Sequence, residues 1–71
     1  MPLVYDKTVF VLETYIDDNL MFLKSDDSLT NKPKDAQRFF DERNAKKFAA
    51  NKTKYLGQDY RVCPVALYME I

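Results

Sequence analysis

The sequence predicts an α+β domain: an antiparallel sheet of about three strands, in ββαβ order, with one amphipathic helix packed across one face. Three observations carry this. Residues 42–56 repeat apolar side chains at helical spacing between a start signal and a stop signal. Two β-branched and aromatic runs flank the turn-forming Asp17-Asp18-Asn19. A third such run, residues 60–69, follows the helix.

Residues 8–16 form the first predicted strand and residues 20–25 the second. Asp favours turn starts and Asn tolerates positive φ, so the intervening Asp17-Asp18-Asn19 is a hairpin connection. The polar stretch 25–34, with Pro33, reads as loop, and Asp26-Asp27 suits a turn continuing the hairpin. Residues 35–40 read as a short extended piece or a single turn. A continuous helix over 36–56 stays open, although Asp41 looks like a fresh start.

The main helix spans 42–56. Asp41 is a good N-cap, Glu42 suits the positive end of the helix dipole, and Gly57 suits a left-handed C′ position. Ala45, Phe48, Ala49, Tyr55 and Leu56 are expected on the buried face. Arg43, Lys46, Lys47 and Lys54 are expected on the wet face, with Lys52 snorkelling at the edge between them. In the last strand Pro64 lacks an N–H, which places it on an edge or at a bulge. A fourth strand is compatible with this order.

Seventy-one residues make a single small domain. The one cysteine, Cys63, excludes an internal disulfide, and no stretch reads as a secretion signal. No apolar run approaches the roughly 20 residues of a membrane span. The expected location is the cytoplasm, without membrane contact. Asn51-Lys52-Thr53 matches a glycosylation pattern inside the helix and is read as chance. Net charge is zero but uneven. Residues 1–31 hold six acids against two bases, and residues 32–61 hold nine bases against four acids.

The layout of a hairpin, then Ala36-x-x-Phe39, a polar cap at Asp41, Ala45-x-x-Phe48-Ala49, Gly57 and a Tyr60-Arg61-Val62 strand is similar to small uncharacterised proteins of Gram-positive phages and prophages. The resemblance spans roughly residues 8–65 and rests on core and cap positions. It implies an accessory protein of unknown role and assigns no residue a function.

A strand with one wet face alternates apolar and polar residues. Val9-Phe10-Val11-Leu12 and Leu20-Met21-Phe22-Leu23 do not. One helix covers one face, so the other needs a cover. That cover is either a second copy of the chain or a partner, contacting Val9, Val11, Met21 and Leu23, or else the loop around Phe39-Phe40 and the tail 67–71. A homodimer would pack sheet on sheet or pair strands at an edge.

No histidine is present, which removes the commonest general base and metal ligand. Cys63, without a histidine partner, reads as a small apolar residue. Asp17-Asp18 and Asp26-Asp27 are sequence neighbours that turn chemistry explains. Catalysis, metal binding and cofactors are therefore not expected. The expected function is a non-enzymatic interaction module with an unknown protein partner. The alternative is weak, sequence-independent nucleic-acid binding through Arg43, Lys46, Lys47 and Lys54.

Overall fold

Asp17 and Asp18 both adopt positive φ, and this two-residue turn folds the first apolar run back on itself. In the computed structural model, which describes Pro2–Glu70, the arms are β1 (Leu3–Ile16) and β2 (Asn19–Leu23). Sequence reasoning favoured Asn19 as the positive-φ residue. Asn19 instead opens β2 opposite Ile16, and its side-chain amide donates to the Asp17 carbonyl at 3.3 Å.

A second turn follows at Asp26-Asp27. Asp27 has φ 68°, and the Asp26 carboxylate accepts from the Ser28 hydroxyl at 2.5 Å and the Ser28 N–H at 3.1 Å. These bonds hold the Asp26 carboxyl below its usual 3.8, the hydroxyl contributing most. The turn leads into the two-residue β3 (Leu29–Thr30), the fourth strand of the sheet.

Residues 33–40 are not helical throughout. A 3-10 turn at Pro33–Asp35 is followed by an extended passage in which Phe39 pairs with Phe10 through two 2.8 Å backbone bonds. The helix then starts where expected. α1 (Glu42–Leu56) has the Asp41 carboxylate accepting from the Arg43 N–H and ends at Gly57 with φ 69°. β4 (Arg61–Glu70) closes an antiparallel sheet of order β3-β2-β1-β4. β1 is longer than expected, beginning at residue 3 rather than 8, because β4 supplies partners down to Leu3.

Strand alternation divides the core. On the helix face, Leu12, Leu23, Phe39 and Tyr60 pack with Ala45 and Ala49. On the other face, Val11, Phe22 and Ala36 pack with Cys63 and Val65. The non-alternating runs are thus explained within one chain. The strap 31–38 covers the second face through Ala36, and the Gln37 N–H bonds the Leu23 carbonyl at 3.1 Å. Phe39, which one of the two alternatives set over that face, lies on the helix face. The tail does not fold over either face: residues through Glu70 continue β4, and Ile71 lies outside the described residues.

The buried stripe of α1 is also rotated from expectation. It runs through Ala45, Ala49, Lys52 and Thr53, whereas Phe48 and Tyr55 lie about 90° away on a 3.6-residue repeat. Phe48 is 41% exposed and leans on Phe39, with ring centroids 5.1 Å apart. Tyr55 is 87% exposed, and Leu56 is exposed at the end of the helix. The cause is steric. The rings beneath the helix are those of Phe39 and Tyr60, packed against Ala45 and Ala49, so the inner stripe takes small side chains and Phe48 is left at its margin. Lys52 fills the inner stripe with its stem and ends in a 2.7 Å ion pair with Asp27.

Candidate interaction surfaces

β2 pairs with β1 only over Glu13–Ile16, and β3 pairs only with β2. Phe39 occupies the same side of β1 at Phe10. Below Thr8, β1 pairs with β4 alone among the described residues, so residues 3–8 and 66–70 form a two-stranded ribbon outside both core clusters. The molecule is correspondingly long, 42 × 26 × 19 Å.

The ribbon exposes large apolar side chains. Leu3 is 63% exposed and Tyr68 59%, and Val4, Tyr5 and Met69 are exposed as well. Register assigns their faces, because directly paired residues share one. Tyr5 opposes Tyr68 on the face that carries α1, with the rings edge to face at 6.2 Å. Val4 opposes Met69 on the other face, which continues through Leu67 and Val65 to the strap.

Local features hinder strand addition near the ribbon on each of its edges. The Phe10 N–H and C=O bond Phe39, so they point away from β4. Its partner Pro64 must likewise point its backbone nitrogen at the outer edge, where an added strand would find no donor. On the β1 edge, a bulge between Tyr5 and Lys7 breaks the ladder. The Lys7 ammonium also sits over the Phe40 ring at 5.2 Å, beside that edge. The apolar side chains of this ribbon stand on its faces.

Beneath the strap lies an open groove of about 450 Å³. Val9, Val11, Val65 and Leu67 form its floor, and Lys32, Lys34 and Arg38 stand around it. None of these three cations makes an ion pair among the described residues. The strap is fixed. Its 3-10 turn is closed by bonds from the Asp35 and Ala36 N–H groups, and the Lys32 N–H bonds the Thr30 hydroxyl.

The residues singled out from the sequence are distributed differently. Arg43, Lys46, Lys47 and Lys54 are exposed on α1, as expected, but Lys46 is paired with Glu42 at 3.1 Å. Val9, Val11, Met21 and Leu23 do not form one surface. Val9 and Val11 lie on the groove side, while Leu23 belongs to the helix-side core, with Met21 two residues away on the same face. Val9, Val11 and Leu23 are each only 1% exposed, so none is available to a partner. The ribbon residues and the strap cations escaped sequence reasoning. Their signal was present in Leu3-Val4-Tyr5, an apolar run left outside the first strand, and in three bases within residues 32–38.

Cys63 is half-buried in the groove-side cluster. Burial, and then the neighbouring Glu13 carboxylate, push its thiol up, so it stays protonated near neutral pH. Among the described residues no group of three or more potential ligands could hold a metal ion, and no helix is long and apolar enough to cross a membrane. No protein-family model, curated protein or solved structure matches the chain.

Proposed function

We propose that the chain is a non-enzymatic protein-interaction module whose contact surface is the projecting ribbon. One observation carries this reading: five exposed large apolar side chains, Leu3, Val4, Tyr5, Tyr68 and Met69, gather on a pair of strands that supports no core. A two-stranded ribbon is marginally stable in water by itself, and the apolar side chains exposed on its two faces, Tyr5 and Tyr68 on one and Val4 and Met69 on the other, are surface that a partner would cover. A role as a cytoplasmic phage or prophage accessory protein, the implication of the layout resemblance, accords with such a module. Where the partner is a second copy, the apolar side chains on the ribbon's faces favour face packing, and Pro64 and the Tyr5/Lys7 bulge disfavour strand pairing nearby.

The test is site-specific photocrosslinking in lysate of the cells that encode the chain, with a benzophenone side chain in place of Tyr68 and, separately, of Lys47. Adducts from position 68 that persist between about 0.1 and 1 M salt support an apolar contact. Adducts confined to position 47 and lost at high salt would overturn it in favour of a polyanion on the helix face.

A further inference from the structure

We infer that the groove beneath the strap is a docking site for an acidic amphipathic helix of a protein partner. The inference rests on the interaction-module reading and names the chemistry that the groove side of the surface selects.

Charge selects an acidic occupant. Lys32, Lys34 and Arg38 rim the groove without ion pairs among the described residues, and Asp35 is the one carboxylate in residues 31–38. Spread over seven residues, the cations match a row of carboxylates better than a single headgroup. The floor selects apolar side chains. Val65 and Leu67 are partly buried, and the exposed Met69 extends their line along β4 for about 13 Å, at roughly 3.3 Å per residue.

The open groove selects an occupant with a polar side of its own, because the outer half of any occupant stays in water. An alkyl chain would leave apolar surface in water, whereas an amphipathic helix would turn its polar side outward. Backbone chemistry disfavours an added strand. Pro64 removes a donor from the outer edge of β4, and the bulge interrupts the edge of β1. The backbone bonds that fix the strap hold the cations in place before binding, which lowers the ordering cost of association.

The experiment uses the purified full chain and two synthetic peptides of roughly 14 residues. Both carry leucines at helical spacing, one with glutamates at the remaining positions and the other with lysines. Amide NMR titration at about 50 mM salt is expected to move signals of residues 32–38 and 63–69 with the acidic peptide. The basic peptide is expected to bind about tenfold more weakly or not at all. The Lys34→Glu/Arg38→Glu variant is expected to lose about tenfold in affinity for the acidic peptide, and its unchanged remaining spectrum reports that it folds. Equal binding of both peptides, or shifts confined to α1 or to Leu3, Tyr5 and Tyr68, would overturn the inference. So would decanoate saturating the groove signals where the acidic peptide does not. Because purified components are used, failure here leaves the crosslinking result at Tyr68 standing, and the two readings fail separately.

Discussion

Asp17 and Asp18 hold φ values of 51° and 67°, a conformation that L-residues other than glycine enter at a cost. Asp18→Gly is expected to stabilise the fold by about 0.5–1 kcal/mol, seen as a higher urea midpoint at unchanged slope. Thr14 is a buried polar side chain with every bond satisfied. Its hydroxyl donates to the Asp59 carbonyl at 2.7 Å and accepts from the Gln58 amide at 3.0 Å, tying the helix exit to β1. Thr14→Val keeps the shape but removes the partner of the Asp59 carbonyl, while the Gln58 amide keeps only its 3.2 Å bond to the Tyr15 carbonyl. A loss of about 1–3 kcal/mol is expected by thermal or urea unfolding.

At the scale of elements, α1 is held by its ends and by a narrow stripe. Asp41 caps one end, and at the other the Gly57 N–H bonds the Thr53 carbonyl at 3.1 Å. The Thr53 hydroxyl in turn accepts from the Tyr60 N–H at 3.1 Å, locking the turn into β4. A side chain at Gly57 would meet nothing within 4 Å, so Gly57→Ala isolates the backbone cost of φ 69°. A loss of about 1 kcal/mol is expected, with Gly57→Asn milder because Asn enters this region more readily. Capping chemistry is local, so the limits of α1 were legible in the sequence. Its facing was not. A helix presents candidate apolar positions over a wide arc, and the sheet took the small residues Ala45 and Ala49 and left Phe48 at the margin.

For the whole molecule, one end is doubly covered and the other is bare. α1 and the strap sandwich the sheet around Leu12 and Val11, while the ribbon has neither cover. Opening energy should follow this gradient. In native-state hydrogen exchange, the interstrand amides Val4 and Met69 are expected to exchange at least about tenfold faster than Val11 and Leu23. A partner on the ribbon should erase the difference. Uniform slow exchange in the isolated chain would show that the ribbon needs no cover. The charge asymmetry also resolves at this scale. Lys52 joins Asp27 across the two parts of the chain and Lys46 is paired within α1, whereas the strap cations, like Arg43, Lys47, Lys54 and Arg61, make no ion pair among the described residues.

The sequence by itself determined the local features: the two acidic turns, the limits of α1 and the apolar strands, while the passage before α1 stayed open between extended chain and helix. Each depends on backbone preferences and on neighbours a few residues apart. Only the tertiary structure decided which side chains remain accessible. Val9, Val11 and Leu23 looked like a surface until Ala36 and α1 covered them from opposite faces. Leu3 and Tyr68 looked unremarkable until a pairing across most of the chain set them on a ribbon with no cover. Burial depends on what the rest of the chain places above a residue, and no short stretch of sequence contains that information.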